Sequence, residues 1–338
     1  MTIMTILTYC SGLDLSTYRR FVGSLYDTGF SGNVVYFIHS SDEKNLKKLQ
    51  NEYDDTRIQY VICDDVSSVT QKSWPKPDRP MYEDNLACLE KMNRMKSRFF
   101  FYRDYLDKAY IQSEYILLCD SSDVIFQKNL ENYPYEKYNA DLYVAQEGMH
   151  TLGDSGMNQY WTWRTHEILK DKSITNFPEK RPLGDKFCLC AGTTLGRTEA
   201  IKKYINTFCE TFEGAWDEFN RTSISMRKSP ERVLGGLDQG LHNYLIYCNR
   251  LNLKIKIMSN KDDLVHTCGT MKPKGSTPST AAKSSYAVHV NALGEVANLD
   301  GKVSYIAHQY DRFFLDDRKR MPTLIKYRMT KWNSMGAF

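Results

Sequence analysis

The chain has 338 residues, more than one typical domain, yet α/β folds commonly run past about 200 residues as one unit, so one large domain with appendages is expected. Its 41% hydrophobic and 25% charged residues are an ordinary globular composition, which excludes a disordered or fibrous chain. Lys plus Arg total 45 against 41 Asp plus Glu, and a net charge of +4 gives no reason to make nucleic acid a partner.

Taken in chain order, the opening residues up to Tyr9 alternate apolar and polar and lack a charged leader or a long apolar core. They predict a strand rather than a signal peptide. A helix follows with Leu15, Tyr18, Val22 and Leu25 on one face, then a strand over 33–38, a helix over 42–53 and a strand over 57–63. The segment 64–82 carries Pro75, Pro77 and Pro80 and reads as a mobile surface loop, after which a long helix is predicted over 85–110. Alternating strand and helix signals of this kind predict a mixed or parallel sheet with helices on its faces.

The most informative run is Tyr115-Ile-Leu-Leu-Cys-Asp120-Ser-Ser-Asp123-Val-Ile-Phe126, an apolar strand that ends in two carboxylates. Carboxylates at such a place need a metal, an Arg or backbone N–H groups as partners. The same four residues also suit an Asx-turn between two strands, and the segment alone leaves both readings open.

Further on, a strand is predicted over 141–145, a helix over 157–170 carrying Trp161 and Trp163, a Gly-containing strand over 188–196 and helices over 198–212 and 236–249. The segment 268–285 is rich in Gly, Pro, Ser, Thr and Lys and is expected to be a loop able to close over a site. Short strands are predicted over 286–290 and 303–308. No stretch approaches the ~18 apolar residues of a membrane span. Nine cysteines, mostly inside apolar strands and helices and without paired zinc spacing, predict reduced core thiols and a cytoplasmic protein. The Asn220-Arg-Thr222 sequon carries no meaning in that setting. Six basic residues and no acid between Arg318 and Lys331 mark a basic extension over 316–338, read as a solvated helix or a weak peripheral contact with phosphate or membrane.

Three more clusters bear chemistry. In Cys190-Ala-Gly192-Thr-Thr-Leu-Gly196 the Gly lets backbone approach a ligand and the two Thr hydroxyls offer hydrogen bonds, though a strand with a Gly bulge gives the same pattern. Asp238 and Gln239 stand at the head of a predicted helix, where the dipole stabilises an acid and an ordinary N-cap is the plain alternative. His308, in Ile306-Ala-His308-Gln-Tyr-Asp-Arg312, is either a core histidine or an imidazole ligand for a cation such as Mn²⁺.

In this order the clusters resemble glycosyltransferases of the GT-A type, the nucleotide-diphospho-sugar transferases, and among them the small transferases of plants, algae and large DNA viruses of algae. The likeness runs from Leu7-Thr-Tyr9 to His308-Gln-Tyr-Asp-Arg312 and covers most of the chain. It implies an α/β fold with a Rossmann-like mixed central sheet flanked by helices, a transferase domain over 1–315 and a C-terminal extension. Within that domain, 1–127 would be the nucleotide-binding half and 128–315 the acceptor-binding half. The implied metal ligands for Mn²⁺ or Mg²⁺ are Asp120, Asp123 and His308. Asp120 lies one residue further out than a strict Asp-x-Asp motif places it, so it is matched to metal or to ribose. Thr8, Tyr9 and Cys10 are implied at the base and ribose, and Gly192 beside the donor. Asp238 and Gln239 match the Asp-Gln pair of retaining enzymes, with Glu147 as the alternative catalytic carboxylate.

Physical logic adds phosphate candidates in Arg98, Arg103, Lys272 and Lys274, and stacking candidates in Trp161, Trp163 and Trp216. The expectation is a metal-dependent transferase acting on a nucleotide sugar, UDP-linked, with a glycan or glycoprotein acceptor. The rival readings are a catalytically inactive glycan-binding or scaffold protein of the same fold, and a sugar-nucleotide pyrophosphorylase. The latter normally carries a Gly-rich basic loop where this chain has Cys10-Ser-Gly-Leu-Asp14. An aspartate phosphotransferase is disfavoured because Asp-x-Asp-x-Thr is missing.

Overall fold

The computed structural model describes residues 3–53, 55–70, 83–153, 156–170, 183–219, 236–268 and 288–310. Strands β1 (Met4–Cys10), β2 (Asn33–Ile38) and β3 (Ile58–Ile62) alternate with helices α1 (Leu15–Tyr26) and α2 (Glu43–Tyr53), followed by the long α3 (Glu83–Lys108). Then come β4 (Tyr115–Asp120), β5 (Val124–Phe126), β6 (Leu142–Thr151), α4 (Gly156–Leu169), β7 (Phe187–Arg197), α5 (Thr198–Gly214) and α6 (Leu237–Tyr247). Five short strands complete the described chain: β8 (Ile255–Met258), β9 (Val265–Thr267), β10 (Val288–Val290), β11 (Val296–Asn298) and β12 (Ile306–His308).

A seven-stranded sheet has the order β3-β2-β1-β4-β7-β6-β8. Its first four strands are parallel, β7 runs antiparallel to both β4 and β6, and β8 is parallel to β6. This is the mixed sheet flanked by helices that the sequence predicts. Strands β1, β2 and β4 are largely apolar on both faces because both faces are covered, whereas β3 stands at the sheet edge. On one side α1 and α2 bury Tyr18, Phe21, Val22, Leu46 and Leu49 against them. On the other, α3, α5 and α6 contribute Phe99, Phe100, Tyr204, Phe208, Leu241 and Leu245. Phe99 stacks on Phe208 at 3.8 Å between centroids, and each such buried ring contributes about 1.5–3 kcal/mol. The α1 start is set by Asp14, whose carboxylate accepts from the Thr17 N–H at 2.8 Å, an N-cap worth about 1 kcal/mol.

A second, three-stranded sheet has the order β5-β12-β9, and its strand β5 lies directly after the acidic strand in sequence. The Asp120-Ser-Ser-Asp123 run therefore links β4 of one sheet to β5 of the other, so the turn reading and the ligand reading describe the same residues.

Several boundaries differ from expectation. The 141–145 strand extends to Thr151 through shifts in its register with β7. The 303–308 strand shortens to Ile306–His308, and β8, β9 and β11 carry too few residues for periodicity to reveal them. In 64–82, the part through 70 includes a 3₁₀ turn at Val66–Ser68, and 71–82 lies outside the described residues. So do Asn220, most of the 268–285 loop with Lys272 and Lys274, and the basic 316–338 extension.

Candidate metal centre and active site

Strands β1 and β4 are parallel neighbours with Tyr9 opposite Asp120, and the elements that follow them, α1 and β5, pack on each other through Phe21 and Phe126. The carboxyl ends of β1 and β4 form the crevice in which open α/β sheets receive ligands. Thr8, Tyr9 and Cys10 end β1 there. Thr8 is buried, and the buried Cys10 thiol donates to Ser121 Oγ at 2.8 Å. Burial pushes that thiol up to about 12, so it stays neutral. Just beyond, the Gly12 N–H donates to the buried Asp42 carboxylate at 2.8 Å.

The metal-competent atoms of Asp120, Asp123 and His308 lie within 4.8 Å of one another. His308 Nε2 is 3.7 Å from Asp120 Oδ2 and 3.6 Å from Asp123 Oδ1, beyond hydrogen-bond distance in both cases. The register places His308 beside Val124, and the Gln309 N–H donates to the Asp123 carbonyl at 2.8 Å, so β12 is tied to the acidic turn by backbone. Fully buried, His308 Nε2 finds no hydrogen-bond partner among the described residues. Gly192 of β7 closes the other side, where a Cβ would sit 2.5 Å from Asp120 Oδ2 and 2.9 Å from His308 Nε2. Two carboxylates and one imidazole converging at these distances are the donor set of a borderline divalent cation. The residues fit such a cation. Burial opposes charge on His308, but Cys190, Asp123 and Asp120 outweigh it and hold its pKa well above the ordinary range. For Asp120 burial is likewise overcome, by Arg98 first and then His308, and its pKa is lowered.

Arg98, on α3, is buried and forks between two acids. Nη1 donates to Asp120 Oδ1 at 2.6 Å and Nη2 to Asp238 Oδ2 at 3.0 Å. With Oδ1 committed to Arg98, Asp120 directs Oδ2 toward His308. Asp238 lies in the first turn of α6, where the helix dipole favours its charge, but burial still raises its pKa despite Arg98. Lys96, two residues before Arg98 and 1% exposed, is pulled down to about 8 by burial, against the raising influence of Asp238.

Gln239 follows Asp238 and donates through Nε2 to Glu147 Oε2 and to Asn158 Oδ1, both at 2.6 Å. Asn243, one turn on, clamps α6 to β7 by accepting from the Leu189 N–H and donating to the Leu189 carbonyl, both at 2.9 Å. The fold thus brings Asp120, Asp123, His308, Gly192, Arg98 and Asp238 together, with Gln239 and Glu147 joined next to them.

Other expected contributors sit elsewhere. Arg103 is held by Glu213 on α5 through bonds of 2.9 and 2.8 Å, which removes it from the phosphate candidates. Trp216 packs edge-on against Phe100 and Phe212 in the core, because its position extends the apolar face of α5. Trp161 fills the α4–α6 contact, where a Cβ on Gly236 would meet its ring at 2.0 Å. Trp163 lies tilted against Tyr160 at 5.7 Å. Sequence reasoning missed Lys96, Asn158, Cys188, Cys190 and Gln309. Cys190 and Gln309 stand inside recognised motifs with no role assigned to them, whereas Lys96 reads as an ordinary surface residue of a polar helix.

No family model and no curated protein matches the sequence. Among solved structures, the chain is similar to mouse xyloside xylosyltransferase 1 in its apo form, at 13% identity over 91% of this chain and 97% of that one, with a TM-score of 0.44. It is also similar to the apo bifunctional glycosyltransferase WbbM, at 12% identity over 98% of this chain and 52% of that one, with a TM-score of 0.45. A third similar structure is the galactosyltransferase LgtC in complex with donor and acceptor sugar analogues, at 10% identity over 99% and 95% of the two chains, with a TM-score of 0.46.

Proposed function

We propose that this chain is a metal-dependent glycosyltransferase that moves a sugar from a UDP-sugar to a glycan or glycoprotein acceptor with retention of configuration. The observation that carries the reading is the Asp120–Asp123–His308 cluster at the carboxyl ends of β1 and β4, tied through Arg98 to Asp238. Asp120 Oδ2, Asp123 Oδ1 and His308 Nε2 would hold Mn²⁺ or Mg²⁺. A cation bound there supplies Lewis-acid charge against a departing diphosphate.

The chain's own residues do the rest. Arg98 fixes both acids, so Asp120 and Asp238 keep their spacing while substrate enters. Thr8, Tyr9 and Cys10 line the approach for ribose and base. Asp238, buried and paired with a single guanidinium, supplies negative potential to a cationic sugar centre in a site where water screens it little. In a retaining reaction the acceptor proton passes to the leaving phosphate, and no protein base is needed for it. On this reading 1–127 is the nucleotide half and 128–315 the acceptor half, and the free thiols of the eight described cysteines suit a cytosolic setting. The closer likeness to transferases of plants, algae and their viruses rests on the sequence motifs alone.

The test is calorimetry and thermal stabilisation with UDP and a panel of UDP-sugars, with and without Mn²⁺. Asp123→Ala should abolish Mn²⁺-dependent UDP binding and turnover, and His308→Ala should weaken both by at least about tenfold. Unchanged metal-dependent affinity in both variants would sink the assignment. Binding of glycan without turnover on any donor identifies an inactive glycan-binding protein instead, and an inverted product linkage by NMR refutes retention.

A further inference from the structure

We propose that Glu147 is a positioning residue and not a base: one buried carboxylate that sets the Gln239 amide and the His308–Gln309 turn together. This rests on reading Asp120, Asp123 and His308 as a metal centre. Glu147 is 5% exposed at the inner side of β6. Its Oε2 accepts from Gln239 Nε2 at 2.6 Å, Asn158 Nδ2 at 3.1 Å and the Cys188 thiol at 3.2 Å, and its Oε1 accepts from Gln309 Nε2 at 3.1 Å. A general base needs an oxygen open to the acceptor hydroxyl. Here both oxygens already accept from the protein.

An ionised carboxylate is an acceptor at every lone pair, so it dictates which way each neighbouring amide faces. Gln239 must turn its NH₂ inward, and both hydrogens are consumed, by Glu147 and by Asn158 Oδ1. Its Oε1 makes no hydrogen bond among the described residues. Gln239 can therefore meet substrate as an acceptor alone, which selects a sugar or acceptor hydroxyl that donates at that point.

The other oxygen reaches the metal centre. Gln309 has φ 55, a left-handed backbone that a non-glycine residue adopts at a cost, and its N–H is bonded to the Asp123 carbonyl. Its side-chain nitrogen lies 3.8 Å from Cys190 Sγ, which in turn lies 3.7 Å from His308 Nδ1. Anchoring Gln309 on Glu147 holds the turn and the thiol against the inner edge of the imidazole, leaving Nε2 for the cation.

The experiment compares the full chain with Glu147→Gln and Gln309→Gly, reading the Gln239 side-chain ¹H–¹⁵N signals and the affinity for Mn²⁺ alone. An amide has one accepting oxygen, so Glu147→Gln must release one end. The Gln239 signals should shift and exchange faster, or the Mn²⁺ dissociation constant should rise about tenfold. Gln309→Gly relaxes the backbone at φ 55, so it should fold, bind Mn²⁺ about tenfold more weakly and leave the Gln239 signals in place. If Glu147→Gln changes neither readout, the proposal falls, and loss of turnover alone would then mark Glu147 as a base. Should Glu147→Gln fail to fold, unchanged Mn²⁺ affinity in Gln309→Gly overturns it. Neither readout uses a sugar nucleotide, so failure of the transferase reading leaves this test intact.

Discussion

At Gly192 a single methyl group would occupy the space between two of the candidate metal ligands. Its carbon would lie 2.5 Å from Asp120 Oδ2 and 2.7 Å from His308 Cε1, and neither side chain can retreat far, one being bound to Arg98 and the other fully buried. Gly192→Ala is expected to lower Mn²⁺ affinity at least about tenfold while costing only about 1–3 kcal/mol of stability. Calorimetry on the folded variant checks this, and retained affinity would show that the ligands have other room. Lys96 makes a different residue-scale prediction. Its folded pKa of about 8 lies below the ordinary 10.5, so between those values the unfolded chain binds more protons and stability rises with pH. Below pH 8 the buried charge costs on the order of 3 kcal/mol. Replacing it in Lys96→Met should therefore give a stability gain over the parent that is largest near neutrality and shrinks as pH rises toward 10. A gain independent of pH, measured by urea unfolding, would contradict a buried ammonium.

Helix α6 shows why an element's placement, beyond its existence, matters for the site. Its N-terminal turn carries Asp238 and Gln239, and its height over the sheet is set where Gly240 meets α4: a Cβ there would lie 2.6 Å from the Trp161 carbonyl and 2.7 Å from Thr165 Oγ1. In an isolated helix Gly→Ala stabilises by about 1 kcal/mol, but a clash with backbone forces the helices apart and costs about 1–3 kcal/mol, so overpacking wins or cancels. Gly240→Ala should lower kcat by moving Asp238 and Gln239 while leaving Mn²⁺ affinity close to the parent's, because none of Asp120, Asp123 and His308 is on α6. Equal loss of both would mean that the variant disturbs the whole sheet. From sequence this helix is legible as a segment with an acid at its head, whereas its seating on Trp161 is not, since α4 and α6 are joined by no local pattern.

Across the molecule, buried histidines make the fold sensitive to mild acid. Burial holds His242 and His266 down to about 3, so both fold as neutral rings. Their unfolded value is 6.5, and the unfolded chain therefore binds more protons through the window from 6.5 down to 3, which lowers stability as pH falls. Tm measured with saturating Mn²⁺ should drop between pH 7 and 5, and His242→Gln, at the ring that meets Tyr204 OH at 2.8 Å, should flatten part of that drop. A flat Tm in the parent would exclude two neutral buried rings.

The sequence by itself determined the alternating strands and helices of the first half, the acidic end of β4 and the three further motifs that bear chemistry. These are encoded locally, by period-two and period-3.6 apolar patterns and by carboxylates where an apolar run stops. Only the tertiary structure decided that Arg98, on a helix 22 residues before Asp120, forks between Asp120 and Asp238, that Arg103 and Trp216 serve α5, and that Glu147 binds Gln239 and Gln309 at once. Such pairings join residues as much as 162 positions apart. They arise because a buried charge or amide must find its complement wherever packing brings it, and no periodicity along the chain records that choice.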